Sequence, residues 1–371
     1  MKDQETVSDG QMAFIFLSFL IGSAIVNIPA PLINSAGNAA WASLLIANGL
    51  GILLLGCILY LNRQYKGLTF VDYTRKNFGK WVMVLMLIPF VIMLFFMLSN
   101  IVFDVGLFLH NTMMRTTPVY IFHLFIFLVA ALTVYAGIEV MGRMFTMLLI
   151  FVVGMFFLFL LLIIPMLRPE YLLPLFPDGL KPVFHGTYLA FGFPYAEVIL
   201  FAVLLPFARN EKGGTLEKKM YIAIVLNFFL LLVAVLVSIM ILGPTGADIK
   251  YSLFYIATLI DIQDILTRLE AVIAMSWIIG SYMKATVVLF VINFMISQLL
   301  NLKDDRILIF PSALLAFLLS VSNYNEQEFV EVVTVVWPFL ITVVGVLPIL
   351  FITFLTFVKK KFKKQKNQLD A

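Results

Sequence analysis

The stretch Gly22-Ser23-Ala24-Ile25-Val26-Asn27-Ile28-Pro29-Ala30-Pro31 lies inside the first long apolar run of the chain, residues 11–34. Pro29 and Pro31 have no amide donor and Gly22 gains little from helical conformation, so a continuous membrane helix tolerates this cluster poorly. We therefore predict that the first helix is interrupted here. Backbone groups that an interruption frees at bilayer depth must be satisfied by protein, water or a ligand, so unwound segments line cavities.

A second cluster of the same kind, Phe191-Gly192-Phe193-Pro194-Tyr195-Ala196-Glu197, lies within a later apolar run. Paired interruptions at corresponding positions of two halves indicate the central binding site of a transporter. The alternative for the first cluster is a simple kink at Pro29 and Pro31, but the matching second cluster favours a binding site. Where a helix restarts, its free amides and positive dipole end attract an anion, so the half-helix after Gly22 suits a carboxylate.

The composition is that of an integral membrane protein. Of the 371 residues, 62% are hydrophobic and 12% are charged, whereas soluble domains carry about 25% charged residues. The apolar runs are about twenty residues long or more, which predicts helices across a hydrocarbon core of about 30 Å rather than the short strands of a barrel. The predicted fold class is an all-α membrane protein.

We predict ten transmembrane helices, with interruptions in the first and the sixth. Because each half then holds an odd number of helices, five, the second half enters the membrane from the opposite side. This predicts one transmembrane domain, residues 1–358, built as a LeuT-like inverted repeat of about 11–166 and about 185–357, with a polybasic cytoplasmic tail, 359–371. Residues 251–260 are too few to span and are predicted as a short helix on the outer surface. The predicted spans are 11–34, 39–61, 82–110, 118–136, 143–166, 185–207, 219–243, 268–300, 306–322 and 329–357.

Lysine and arginine residues fall mainly on one side of these helices. Of the 25, 19 lie on the side of the two termini, 5 lie on the other side and Lys284 lies within a span. Cytoplasmic loops carry the excess of lysine and arginine. Both termini of this multi-pass protein are therefore predicted to be cytoplasmic.

Two charged residues stand near mid-bilayer, Glu197 in the sixth helix and Lys284 in the eighth. Intramembrane charges are costly and are functional candidates by default. Glu197 follows Pro194 by three residues and so falls in the opening turn of the restarted half-helix. Its carboxylate could cap free amides there, or it could bind a ligand or a proton, and the two roles are not exclusive. Lys284 needs a carboxylate, carbonyl oxygens or water around it, and Glu197 is its candidate partner. The roles considered for Lys284 are a tethered cation, a proton site and a structural ion pair, with the last slightly favoured.

On the third helix, Asn100 and Asp104 are four residues apart and share a face toward the outer half. Asp104 is a candidate for the entry path of a ligand. The three histidines are scattered, the single Cys57 excludes a multi-thiolate site, and no nucleophile motif, phosphate-binding loop or metal-ligand spacing is present. We therefore predict no metal, no cofactor, no enzymatic activity and no nucleic-acid partner.

Gly22-Ser23-Ala24-Ile25 followed by Pro29 resembles the first-helix signature of the amino acid–polyamine–organocation transporter superfamily, with Ala24 in place of the usual second glycine. Alanine still offers its amide to a ligand. From end to end the chain is similar to the B subunits of spore germinant receptors, the endospore germination permeases. The matching pieces are Gln11, Gly22, Pro29-Ala30-Pro31, Ala40-Trp41, Phe193-Pro194-Tyr195-Ala196-Glu197, and Arg268-Leu269-Glu270 followed by Trp277 and Lys284.

The resemblance implies a nutrient-sensing subunit of the spore inner membrane that works with an A subunit and a lipoprotein C subunit. It also implies that a small nutrient, usually an amino acid and in some receptors a sugar, binds between the first, third, sixth and eighth helices. The alternative function is a proton-coupled amino acid permease with Lys284 or Glu197 as its coupling site. The predicted substrate-binding residues are Gly22, Ser23, Ala24, Ile25, Asn100, Phe103, Gly192, Phe193 and Tyr195, and the predicted ion pair, coupling or structural, is Glu197 with Lys284.

Overall fold

The computed structural model describes residues 5–177, 179–209, 211, 214–243, 246, 249–260, 269–302, 304–322 and 326–369, with side chains except at 269, 326–327 and 363–369. This part of the chain consists of helices and connecting turns and contains no β-strand, apart from an isolated bridge between Val7 and Ala208. The predicted all-α fold class is confirmed.

The helices follow one another with short connections. The first half contains α1 (Asp9–Ile21), α2 (Ala24–Asn27), α3 (Pro29–Ala36), α4 (Ala40–Gln64), α5 (Phe70–Thr112), α6 (Val119–Ala136) and α7 (Ile138–Ile163). The second half contains α8 (Lys181–Ala190), α9 (Phe201–Leu204), α10 (Thr215–Leu242), α11 (Ser252–Thr258), α12 (Leu269–Leu300), α13 (Ile309–Val321), α14 (Glu326–Glu331), α15 (Trp337–Ile341) and α16 (Leu347–Leu369). The short helix α11 falls where a surface helix was predicted.

Nine helical stretches of the described residues are long and apolar enough to cross a membrane. They are Asp9–Asn27, Pro29–Gln64, Phe70–Thr112, Val119–Ala136, Ile138–Met166, Lys181–Phe207, Thr215–Leu242, Glu270–Leu300 and Glu328–Phe362. The predicted span at 306–322 is instead the shorter apolar helix Arg306–Val321. At 1.5 Å per residue it is about 24 Å long, less than a core of about 30 Å. The described residues therefore contain fewer than ten helices of membrane length, and the ten-helix inverted repeat stays a prediction.

The most buried helical stretches are the two that contain the predicted interruptions and the one that contains Lys284. In the most apolar window of Lys181–Phe207, 89% of residues are buried, and the share is 78% for Asp9–Asn27 and for Glu270–Leu300. It falls to 28% for Ile138–Met166. The interrupted helices are thus enclosed by the rest of the bundle, and peripheral helices face the lipid.

Residues 5–9 hold together several helices at one end of the bundle. The Val7 amide donates to the Phe207 carbonyl at 3.0 Å, and the Ile138 amide donates to Glu5 Oε2 at 3.0 Å. Ser8 and Gln11 form a capping box that starts α1, an arrangement that satisfies two otherwise free amides. The chain therefore begins its first membrane helix from a fixed position.

The last long helix runs without a break from α14 through α16, but it contains two wide, π-helical turns. These turns are Val332–Val336 and Thr342–Val346. Wide turns of this kind are rare and occur frequently at functional sites. The helix also continues through the predicted tail as far as Leu369.

Candidate binding site at the interrupted helices

The first interruption lies between α1 and α2, where Gly22 and Ser23 leave the helix. Gly22 has φ 2° and ψ −101°. A Cβ atom on Gly22 would lie 2.9 Å from Lys284 Cβ, and one on Gly280 would lie 2.5 Å from the Gly22 carbonyl oxygen. Glycine at both positions therefore lets the unwound backbone touch α12 directly.

The second interruption lies between α8 and α9. The helix widens into a π-helical turn, Phe191–Tyr195, in which Phe193 is extended at φ −144° and ψ 116°, and then tightens into a 3₁₀ turn. A Cβ atom on Gly192 would lie 2.6 Å from the Cα of Pro338 in α15. The unwound segment is thus packed against the last long helix as closely as the first one is packed against α12.

A buried ion pair connects the second interruption to α12. Lys284 Nζ lies 2.5 Å from Glu197 Oε2, and the two side chains are 0% and 2% exposed. Lys284 Nζ also lies 4.1 Å from the centroid of the Phe193 ring, within range of a cation–π interaction. The side-chain hydrogen-bond partners that the structure gives Glu197 are Lys284 and Trp337, rather than a backbone amide of the restarted turn. Since α12 also contacts Gly22, this pair lies where both interruptions meet.

A cavity of about 590 Å³ lies beside this pair. Ser23, Phe193 and Glu197 line its inner end, and Lys250 and Phe329 line it near the end of the bundle away from residues 5–9. Sites for small molecules typically enclose about 300–1,000 Å³. The cavity therefore has the size and the position expected for a small-molecule site at the interruptions.

Polar groups of α2, in the first predicted span, and of α5, the third predicted span, form one side of the cavity. Asn27 Nδ2 donates to Asp104 Oδ2 at 2.5 Å, and Asn100 Nδ2 donates to the Phe96 carbonyl at 2.7 Å. Asn27, Asn100 and Asp104 all line the cavity. The opposite side is apolar and comes from the last long helix, where the Trp337 ring stacks on Phe96 at 6.4 Å between centroids.

Comparison with known proteins identifies the family. Residues 6–330 match the family described as spore germination protein. The chain belongs to this family. Two relatives, both from Bacillus subtilis (strain 168), match over most of their length: spore germination protein KB is 23% identical over 332 residues, 88% of each chain, and spore germination protein YndE is 20% identical over 333 residues, 87% of this chain and 88% of that protein.

Membership of the spore germination protein family confirms the resemblance drawn from the sequence. Members of this family are receptor-like or transporter-like membrane proteins rather than enzymes, and this chain is a multi-pass membrane protein related to germinant receptors. The match ends at residue 330, so the cavity residues from Val332 to Trp337 lie beyond it.

The structure places the predicted substrate-binding residues in three groups. Ser23, Asn100 and Phe193 line the cavity. Gly22 and Gly192 are instead the close contacts between helices described above. Three other predicted residues pack against neighbours outside the cavity. Tyr195 is fully buried against Gly51, and the Phe103 ring contacts the rings of His123 and Phe329. Ala24 is part of the hydrophobic core.

Ile25 is also part of the hydrophobic core and does not line the cavity. The resemblance places the site between the first, third, sixth and eighth helices. The described residues of the first, third and sixth helices do line the cavity, but the last helix lines it in place of the eighth. The eighth helix is α12. Its Lys284 does not line the cavity but contacts Glu197, which does. Arg268, which belongs to the matching motif with Glu270, lies outside the described residues.

Sequence reasoning missed Asn27 and Trp337 as cavity residues. A signal existed for Asn27, since it is a polar residue at the centre of the quoted apolar stretch. Trp337 follows a run of valines and threonine, Val332-Val333-Thr334-Val335-Val336, that resembles any lipid-facing segment. Nothing in that composition indicates a cavity.

Proposed function

We propose that this chain is the nutrient-sensing membrane subunit of a spore germinant receptor, and that a small nutrient bound in the cavity triggers germination. The observation that carries the proposal is the cavity of about 590 Å³ at the two helix interruptions. An amino acid is the favoured nutrient and a sugar is less favoured. A carboxylate, Asp104, a lysine, Lys250, and the Asn100 amide line the same cavity, which suits a ligand that carries both an ammonium and a carboxylate group.

In this proposal the ligand acts by biasing a conformational equilibrium. A ligand shifts such an equilibrium only by its difference in affinity for the two states. The cavity borders both interruptions, while residues 5–9 hold the helices at the other end. A nutrient that draws the interrupted segments together would favour one arrangement of the helices at the end that carries residues 5–9. Partner subunits would respond to that arrangement.

The proposed partners are the receptor A subunit and the lipoprotein C subunit, in the spore inner membrane, with both termini cytoplasmic. Family membership supports a receptor complex. The excess of lysine and arginine on the side of the termini supports the orientation.

The binding step is tested with a matched pair of tryptophan variants in α5. Ile101 is 8% exposed and lines the cavity, whereas Ile88 is 48% exposed on the outside of the same helix. The purified protein is heated with a panel of amino acids and sugars. At a concentration 100 times the Kd, a ligand stabilises the native state by about 2.7 kcal/mol.

We expect at least one nutrient to protect the wild type and Ile88→Trp, and to lose its effect on Ile101→Trp because the larger side chain fills the cavity. The same order of response is expected for spores that carry these variants. Equal protection of Ile101→Trp and wild type would contradict the proposed site, and protection by no member of the panel would contradict an amino acid or sugar ligand.

A proton-coupled amino acid permease is the second candidate, and the buried pair of Glu197 and Lys284 beside the cavity favours it specifically. A charged pair at this depth is typical of ion-coupled transport. The purified protein in lipid vesicles separates the two functions. A permease accumulates labelled amino acid when the vesicle interior is made alkaline, whereas a receptor subunit that binds without transport does not.

A further inference from the structure

At the end of the bundle that carries residues 5–9, α5 begins with a short arm. Residues 70–78 are helical, Gly79 turns the chain at φ 83° and ψ 172°, and the helix resumes from Lys80. Only glycine adopts a positive φ of this kind without strain. Thr69 and Asp72 cap the arm in a capping box. The arm is therefore a separate, well-started helical segment joined to α5 through a sharp turn.

Aromatic contacts hold this arm against α16. The rings of Phe78 and Phe351 are stacked with centroids 6.2 Å apart, and Lys359 Nζ lies 5.9 Å from the Phe78 ring. Just before the arm, the Tyr65 hydroxyl lies 3.1 Å from Thr356 Oγ1. Two elements that are distant in sequence thus form one continuous surface.

That surface is strongly basic. The acidic residue of the arm is Asp72, and its carboxylate accepts hydrogen bonds from the Thr69 amide at 3.0 Å and the Thr69 hydroxyl at 2.7 Å. The cations are all exposed. We call them the basic surface: Lys66, Arg75, Lys76, Lys80, Lys359, Lys360 and Lys361.

Exposed aromatic side chains show how deep the basic surface lies. Trp81, directly after Lys80, is 87% exposed, and Phe357 and Phe362, on either side of Lys359–Lys361, are 59% and 67% exposed. In a membrane protein, an exposed tryptophan such as Trp81 marks the boundary between lipid tails and headgroups, and the exposed Phe357 and Phe362 are apolar surface beside the lysines. The basic surface therefore lies at the level of the headgroups.

We propose that the basic surface is a binding site for the anionic headgroups of membrane phospholipids. Clusters of four to eight lysines and arginines beside a membrane helix are suited to anionic lipid. Seven cations converge here, four from residues 66–80 and three from α16, and the contacts of Phe78 with Phe351 and Lys359 hold these two parts together. An acidic protein segment is the other occupant with this charge, but the flanking aromatic residues place the cations against the bilayer itself.

The test is a lipid titration of the purified full-length protein in neutral detergent, followed by thermal unfolding. Short-chain phosphatidylglycerol is compared with phosphatidylcholine of the same chain length. One variant removes three charges from α16 (K359Q/K360Q/K361Q), and another removes two from the arm and one just after its turn (R75Q/K76Q/K80Q). The matched control removes three exposed charges elsewhere (R115Q/R168Q/K181Q).

Each charge near anionic lipid changes binding by about fivefold. We expect the wild type to bind phosphatidylglycerol more tightly than phosphatidylcholine. Either triple variant should weaken phosphatidylglycerol binding by about 100-fold, with the control close to wild type. Phe78→Ala keeps every charge and should still weaken binding severalfold, because the two halves of the surface separate.

Equal losses in the control triple variant, or wild-type binding by Phe78→Ala, would overturn the site and leave only non-specific charge attraction. A poly-glutamate peptide that binds the wild type more tightly than phosphatidylglycerol, and is lost in the same variants, would overturn the lipid in favour of an acidic protein segment. Because all substituted cations are exposed, the unfolding temperature without lipid should stay near that of the wild type.

Discussion

Replacement of Lys284 with methionine should strongly destabilise the protein. The substitution removes the charged partner of the Glu197 carboxylate, whose side chain is 2% exposed, and leaves it the hydrogen bond with Trp337. Removal of one partner of a buried pair costs about 3–5 kcal/mol, because the remaining charge is uncompensated. The cation–π contact with Phe193 at 4.1 Å is lost as well. We therefore expect the ratio of folded to unfolded protein to fall between about 10² and 10⁴-fold.

The double variant Glu197→Met/Lys284→Met shows whether the instability of the single variant comes from an unpaired buried charge or from lost packing. Replacement of both partners by apolar residues of similar volume is often neutral or stabilising by about 1–4 kcal/mol. The double variant should therefore be more stable than either single variant. A double variant that is as unstable as the sum of the two single variants would refute the reasoning.

Thermal unfolding in detergent is followed with a thiol-reactive dye, since Cys57 is the only cysteine and is partly buried in the folded state. Glu270→Gln is the matched control on the same helix, because Glu270 is partly exposed, and its effect should be much smaller. If the double variant regains stability but loses protection by nutrient, the pair acts on the ligand. If it keeps both, the pair is structural.

Three further predictions concern backbone contacts. Gly22→Val should abolish the nutrient response of spores while the protein still inserts, because the new Cβ would lie 2.9 Å from Lys284 Cβ; an unchanged dose–response would contradict the contact. Gly192→Val should do the same, since Pro338 Cα would be 2.6 Å away, and Gly154→Val, with no neighbour within 4 Å, is the control for both. Ser8→Ala should lower stability by about 1 kcal/mol through loss of the α1 cap, measured with the Cys57 dye, and a stability equal to wild type would count against the capping box.

The interruptions were predictable because their causes are local. Proline lacks an amide donor and glycine disfavours the helix wherever it occurs, so the clusters near Gly22 and Gly192 indicate broken helices before any tertiary contact is known. The pairing of Glu197 with Lys284 was also foreseeable, since two opposite charges at similar membrane depth each need a partner.

The side of the cavity formed by the last helix was not predictable from the sequence. Which of several apolar helices faces a cavity depends on how the bundle packs, and a run of valines before Trp337 carries no mark of that choice. Tyr195 and Phe103 are the converse case, since the sequence predicts them as binding residues but neither lines the cavity. Their neighbours in sequence are near the site, but each side chain turns toward another helix, Tyr195 toward Gly51 and Phe103 toward His123.

The two wide turns of the last helix, Val332–Val336 and Thr342–Val346, divide it into segments that need not rotate together. A regular α-helix transmits a twist along its whole length, whereas a wide turn has weaker, less regular hydrogen bonding and absorbs part of it. Trp337 and the rest of α15 lie between these two joints. Since Trp337 lines the cavity, we expect a solute that displaces its side chain to rotate α15 more than α16, which follows the second wide turn.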